Sequence, residues 1–266
     1  MIEVLRFEPI LKGLWRVGGG SWNGTVPALS AEDDANVYLL QGPEGLALID
    51  CAGYEGRAAI EANVRAAGFE PHALDDLLLT HSHWDHTQAA HAWRADYGLR
   101  THLNACGAEF LARGDERLVG SPLHGPEFPF TRFAVDHAVA DGERFALVGA
   151  AVTAHFLPGH TPDSTAVVLE HDGVRVGICG DVAFGPKAGG IPALGFLCAL
   201  WLSNLDDYVT SLRRLEALEL DLLVPGHGNV VRGREPVRAA VRTALRTAER
   251  LAADPAVAHN FSVDGQ

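Results

Sequence analysis

Apolar and polar residues alternate around Leu11, Leu14, Trp15 and Val17, which predicts an opening strand within residues 1–17. The same period of two over residues 36–40 and 45–50 predicts two more strands, joined as a hairpin through Gln41-Gly42-Pro43-Glu44. Residues 55–67 switch to helical spacing, with Ala59, Ile60, Val64 and Ala67 on one face and Gly68 as the stop. The apolar run Leu77-Leu78-Leu79 then predicts a strand, and residues 87–97 a helix. A strand over residues 99–103 and a helix over residues 105–113, ended by Gly114, follow. Strand and helix in regular alternation predict an α/β fold.

Residues 115–133 break that rhythm. Pro122, Pro126 and Pro129 interrupt them, and Phe128 and Phe130 stand among the prolines, so we expect a loop that closes as a flap over an apolar pocket. From Asp136 the pattern is strand-rich, over residues 148–157, 164–170 and 174–179, the last two joined by the tight turn Asp172-Gly173. Residues 182–203 are a second irregular, apolar stretch. A helix over residues 205–217, a strand over 221–224 and a final helix over 234–252 complete the order. On the final helix Val237, Val241, Leu245, Ala248 and Leu251 form an apolar face. Arg234, Arg238, Arg242, Arg246 and Arg250 recur at four-residue steps and read as a solvated face rather than an anion-binding stripe. The glycine-rich stretch from Gly18 to Gly24 reads as a loop that carries Trp22.

Composition works mainly by exclusion. A chain of 266 residues suits one large domain or two small ones, and we expect a single domain over residues 1–266. A net charge of −13 argues against a nucleic-acid surface, which needs a basic stripe. Cys51, Cys106, Cys179 and Cys198 form no close pair, so they read as free thiols rather than a zinc ribbon or a disulfide framework. No apolar run of signal-peptide or membrane-spanning length is present, and a cytoplasmic location is expected.

Candidate chemistry concentrates in Thr80-His81-Ser82-His83-Trp84-Asp85-His86, at the end of a predicted strand. Alternate side chains of an extended chain share a face, so His81 and His83 can approach one metal ion together. Asp85 and His86 reach a second ion only if the chain turns near Trp84. Imidazole and carboxylate are the ligand types that zinc takes. A lone histidine is ordinarily a surface or core residue, but this density at a strand end is not ordinary. Three later fragments add to it: Pro158-Gly159-His160-Thr161-Pro162, Gly180-Asp181 and Pro225-Gly226-His227-Gly228. Each stands just past an apolar run and beside glycine, where the backbone can bend tightly. Asp50 also ends a predicted strand, and is expected to orient a metal-bound imidazole, with capping of the next turn as the alternative.

In this order the motifs resemble the metallo-β-lactamase fold superfamily, over about residues 17–230. The match runs through Asp50, the HxHxDH motif at His81, His83, Asp85 and His86, then His160, Asp181 and His227. The resemblance implies a four-layer αβ/βα sandwich, two mixed β-sheets flanked by helices, with metals at one sheet edge. It implies that His81, His83 and His160 hold a first metal, that Asp85, His86 and His227 hold a second, and that Asp181 bridges them. The implied cofactor is two divalent ions, zinc first, with iron or manganese as alternatives. The chemistry expected is attack of a metal-bound hydroxide on an ester, lactone or thioester carbonyl, with Asp85 among the catalytic groups.

Departures from the family pattern narrow this. The β-lactamase branch with a similar HTPGS stretch usually lacks the bridging aspartate and is exported; this chain has Asp181, and a β-lactamase remains an alternative. Glyoxalase II-like hydrolases carry a helical domain after the last metal histidine, and with 39 residues following His227 none is expected here. Lactonases of the family often place a tyrosine three residues past the bridging aspartate, where this chain has Phe184. Asp163 replaces the glycine of HTPGS and is expected to hold a left-handed turn, with pointing toward the site to repel an anionic substrate as the alternative. Trp22, Trp84, Phe128, Phe130, Phe184, Phe196 and Trp201 are candidates for the pocket wall, which suits a mostly apolar small molecule. The partner expected is that substrate, with neither nucleic acid nor membrane, and a homo-oligomer left open. Two other readings stay in view: a mononuclear iron persulfide dioxygenase using His81, His160 and Asp181, and a non-catalytic ligand binder.

Overall fold

The structure is a computed structural model that describes residues 6–21, 26–115, 117–118, 130–187 and 193–258. Trp22, Phe128 and most of the expected flap lie outside the described residues.

The first sheet is built from β1 (Glu8–Leu11), β2 (Leu14–Gly18), β3 (Val37–Gln41), β4 (Leu46–Ile49), β5 (Leu74–Leu78), β6 (Arg100–Asn104) and β7 (His137–Val139). Their spatial order is their sequence order, β1-β2-β3-β4-β5-β6-β7. β1 to β4 pair antiparallel, and β4 to β7 pair parallel. The second sheet is built from β8 (Arg144–Leu147), β9 (Ala150–Phe156), β10 (Thr165–His171), β11 (Val174–Gly180), β14 (Leu222–Pro225) and β15 (Val231–Arg232). It has the order β15-β14-β11-β10-β9-β8, and only β11 and β14 pair parallel. Between β11 and β14 in the chain, β12 (Ala183–Phe184) and β13 (Ala193–Leu194) form a separate hairpin.

Three apolar layers hold these sheets. Val37, Leu39, Leu48, Ile60, Leu77 and Trp93 pack the first sheet against the helices Arg57–Ala66 and Ala90–Tyr97. Ile10, Tyr38, Ile49, Leu78, Val167 and Ile178 fill the space between the sheets. Leu212, Leu215, Val237, Val241 and Ala244 pack the helices Leu205–Ala217 and Arg234–Ala252 onto the second sheet. The result is the expected four-layer sandwich. All four residues of β4 are buried, as a strand covered on both faces requires.

Some elements differ from expectation. The opening strand is two, β1 and β2, because Gly13 takes a positive φ of 81° and reverses the chain. β7 and β8 carry histidine, arginine and alanine at positions where a periodic pattern needs larger apolar groups, so only pairing with their neighbours reveals them. The arginines of the last helix act as a surface face: Arg234 pairs with Asp221, and Arg238 and Arg242 with Glu216. No helix among the described residues is long and apolar enough to cross a membrane.

Asp76 of β5 ties the two sheets. It accepts from Arg100 Nε at 2.9 Å, His102 Nε2 at 3.0 Å and the Val148 amide at 3.0 Å. Burial alone would raise its pKa, but these donors hold the carboxyl well below the usual carboxylate range. Asp76→Asn is expected to cost about 3 kcal/mol near pH 7, because His102 loses a buried anionic partner. A group with a depressed folded pKa stabilises above its unfolded value and loses that contribution as pH falls. Urea denaturation of both proteins at pH 7 and pH 3 checks this: the difference should shrink at the lower pH.

Candidate metal centre

The parallel strands β4 and β5 of one sheet, and β11 and β14 of the other, deliver their C-terminal ends to the same edge of the sandwich. β5 stops at Leu78, and Thr80 is caught at once: its amide donates to Asp50 Oδ1 and its hydroxyl to Asp50 Oδ2, both at 2.8 Å. With its proton committed, that hydroxyl accepts from His81 Nδ1 at 3.2 Å, which leaves His81 Nε2 bare. The chain then turns where the two-metal expectation needs it to turn, because a short helix, Trp84–Thr87, begins after His83. Thr87 Oγ1 donates back to His83 O at 2.9 Å and pins the bend. Asp85 and His86 are consequently carried on past His83 along the same rim, with the His86 ring still 4.1 Å from that of His81. His86 Nδ1 donates to Asp50 Oδ2 at 2.8 Å. One buried carboxylate thus orients both His81, through Thr80, and His86 directly. Asp50 itself sits at φ 55°, a left-handed conformation that a short polar side chain tolerates.

The other three groups arrive from the second sheet. His160 follows Gly159, at φ 142°, where any Cβ would overlap Tyr208. His160 Nδ1 donates to Phe196 O at 2.6 Å, which leaves Nε2 as the acceptor that His83 Nδ1 meets at 3.0 Å. Asp181 stands just past β11, its carbonyl held by Tyr208 Oη at 2.8 Å. His227 follows Gly226, where a Cβ would collide with the Asp181 carboxylate and lie 2.8 Å from His86 Cε1.

All seven groups converge. His81, His83, His160 and Asp181 each offer one ligand atom within 4.8 Å of the others, and so do Asp85, His86 and His227. Asp181 joins the two sets: Oδ2 lies 3.4 Å from both His160 Nε2 and His227 Nε2, and Oδ1 lies 3.3 Å from His86 Nε2. Asp85 Oδ2 is 3.0 Å from His227 Nε2. His83 Nδ1 and His160 Nε2 meet at 3.0 Å.

Electrostatics divides the cluster in two. Burial, reinforced by neighbouring imidazoles, pushes His81 and His83 well below the ordinary histidine value, so both are neutral, the form that binds metal. His86 goes the other way. Burial opposes its charge, but Asp85, Asp50 and Asp181 together raise it well above that value. Burial opposes the charge of Asp181, but His227, His86 and His160 outweigh it and hold the carboxyl well below the carboxylate range. His81 Nε2, His83 Nε2, His86 Nε2 and Asp181 Oδ1 are buried without a hydrogen-bond partner. The neutral His81 and His83 and the Asp181 carboxylate thus present bare buried acceptors, costly unless a cation, a metal ion or in its absence the proton on His86, lies among them. The histidine and aspartate clusters therefore suit metal ions.

The aromatic candidates separate by position. Phe184 lies 5.0 Å from the His227 ring, and Trp201 lies 4.5 Å from His83 and 6.3 Å from His160. Phe196 lies 6.3 Å from Phe184 and is 48% exposed. Trp84 is half-buried beside Gly53. Phe130 packs against the core under the first sheet, near Phe133.

Asp163 corrects an expectation. It is not in a left-handed conformation; Gly159 supplies the positive φ in that loop. Its carboxyl is fully buried with neither oxygen hydrogen-bonded, pressed toward Gly107 near the start of the helix Ala105–Arg113, and its backbone carbonyl accepts from Asn104 Nδ2 at 2.8 Å. Burial raises its pKa. Two supporting residues, Thr80 and Asn36, are absent from the set that sequence reasoning singles out. A polar residue closing the apolar run before His81 is a signal for Thr80; nothing local marks Asn36.

A family model described as the metallo-beta-lactamase superfamily matches residues 31–227. A hydroxyacylglutathione hydrolase of Acidiphilium cryptum is 30% identical over 239 residues, covering 86% of this chain and 79% of that protein. An atrochrysone carboxyl ACP thioesterase of Aspergillus fumigatus is 28% identical over 223 residues, covering 83% of this chain and 57% of the relative. The chain spans less than two thirds of the length of several curated relatives it matches. Among solved structures, a mutant metallo-beta-lactamase of Cronobacter sakazakii superposes with a TM-score of 0.69 at 23% identity, covering 93% of this chain and 97% of that one. The native metallo-beta-lactamase of Legionella gormanii does so at 0.68 and 21%, covering 90% and 92%. Those two likenesses speak for the fold. Together with a family match that runs from Ala31 to the last of the clustered histidines, they place this chain in the metallo-beta-lactamase superfamily.

Proposed function

We propose that the chain is a single-domain, binuclear metal-dependent hydrolase of esters, lactones or thioesters with a largely apolar acyl part. The carrying observation is the convergence of His81, His83, His160 and Asp181 with Asp85, His86 and His227, bare acceptor atoms inward. His81, His83 and His160 would hold one ion, Asp85, His86 and His227 the other, and Asp181 both. An all-nitrogen-and-oxygen set suits zinc first, with iron or manganese as alternatives. Divalent ions, when bound, supply Lewis acidity that polarises a carbonyl and acidifies water.

The chain's own residues do the rest. Asp50 and Thr80 fix the rings of His86 and His81. Asp85, 14% exposed and held ionised against burial by His86 and His227, would take up the proton released by the attacking water. Phe184 and Trp201 line the two ends of the cluster, and the exposed Phe196 and Leu200 extend an apolar rim beside it. Phenylalanine at 184 offers the leaving group no hydroxyl proton. That favours groups that leave as anions, and so thioesters over alkyl esters. Relatives named as a thioesterase and as hydrolases support this choice. The net charge of −13 favours a small molecule over nucleic acid.

Chelation is expected to lower turnover about 10³-fold or more, the several kcal/mol that metal ions contribute to such reactions. Two equivalents of zinc should restore it. Metal-quantified protein assayed against thioester, lactone, aryl ester and β-lactam panels tests the substrate class. One iron per chain with oxygen consumption would replace the hydrolase by a dioxygenase.

A further inference from the structure

His81, His86 and His160 are each oriented by a hydrogen bond from Nδ1, to Thr80, Asp50 and Phe196 respectively. Among the described residues, Nδ1 of His227 has no such partner. Its backbone is held instead. Pro225 O accepts from Asn36 Nδ2 at 3.0 Å and from Tyr38 Oη at 2.7 Å. Gly226 O accepts from the Asn36 amide at 2.7 Å, and Gly228 O from Asn36 Nδ2 at 2.8 Å. His227 O accepts from the Gly185 amide at 2.8 Å. Every carbonyl from Pro225 to Gly228 is therefore engaged, and three of the four engage Asn36. Asn36 is itself fixed: it is fully buried, and its Oδ1 accepts from Arg16 Nη1 at 3.4 Å, while Arg16 pairs with Glu8 at 2.8 Å.

We infer that Asn36 is a positioning residue that sets His227 through the main chain, doing for this histidine what a ring hydrogen bond does for the other three. Glycine on both sides of His227 makes such a clamp necessary, since Gly226 and Gly228 add no side chain to restrain the loop. A side-chain amide suits the position because its two N–H donors reach two carbonyls while its oxygen takes a guanidinium. Aspartate, of the same shape, has no donors and would repel both carbonyls. This assignment of Asn36 rests on the reading of His227 as a ligand of the second metal.

The test uses full-length wild type, Asn36→Asp, Asn36→Ala and the milder Tyr38→Phe, which removes one bond and leaves Asn36 in place. In metal-free protein, the ¹⁵N-detected ring resonances of His227 should shift or broaden in the Asn36 variants while those of His81 and His86 hold. Stepwise zinc titration against a chromophoric chelator should then show the second equivalent weakened by about 10–100-fold, the usual cost of losing a ligand-orienting partner, with the first nearly unchanged. Tyr38→Phe should weaken the second equivalent by a smaller factor, and it carries the test if the Asn36 variants do not fold. Equal weakening of both equivalents, or an unmoved His227 resonance, overturns the assignment. A wild-type protein that takes up fewer than two equivalents defeats the binuclear reading instead, and the ring resonances still decide the role of Asn36.

Discussion

Asp181→Asn is expected to cut hydrolysis about 10³-fold or more, because it removes the one charge that both proposed metals share. The substituted amide would keep the shape of the side chain, and the bond from Tyr208 would survive, since it goes to the main-chain carbonyl and not to the carboxylate. The carboxylate oxygens, by contrast, reach His86, His160 and His227 at 3.3–3.4 Å, so each set of imidazoles loses its common anion. An amide N–H would also be able to occupy a ring lone pair, at His86 Nε2 for one, that a metal ion would need. Metal analysis should fall from two equivalents toward one or none, and thermal unfolding of the metal-free variant should confirm that the chain still folds. Retained turnover with full metal content would end the binuclear proposal.

Asp50→Asn should produce the second large effect by a different route. Asparagine tolerates the φ of 55° at this position, so the backbone is spared. Its oxygen can still accept from the Thr80 amide, but its NH₂ group then faces two donors, the Thr80 hydroxyl and His86 Nδ1–H. His86 escapes by moving its proton to Nε2, which points at the cluster and would no longer offer a lone pair there. Zinc affinity is expected to drop about 10–100-fold, with the site that includes His86 losing most. Asp50→Ala is harsher. It leaves all three donors unpaired in a buried place, and a loss of about 3–5 kcal/mol in folding stability is expected. Equilibrium denaturation of the two variants separates the effects: the asparagine variant should fold nearly as well as wild type and bind metal poorly. A fully metal-competent Asp50→Asn protein would show that the His86 tautomer is set elsewhere.

Both carboxylates are legible in the chain, although the contacts they make are not. His81, His83, Asp85, His86, His160, Asp181 and His227 stand out because each lies just past an apolar run, often beside glycine, and that pattern is local. The α/β class is legible for the same reason, since the periods of strand and helix are carried by neighbours in sequence. The sheet edges are not. β7 and β8 are three and four residues long, and their pairing partners, rather than their own composition, make them strands.

The amino-acid sequence by itself determined which groups are chemically able to hold metal, and that strand ends would present them. Only the tertiary structure decided what stands behind each one. Asp50 reaches across to Thr80 and His86, Asn36 to a loop 189 to 192 positions away, and Asp163 turns into the interior instead of serving its turn. The reason is physical: a hydrogen-bond partner is chosen by distance after two sheets have packed face to face. No window of sequence contains both sides of that contact.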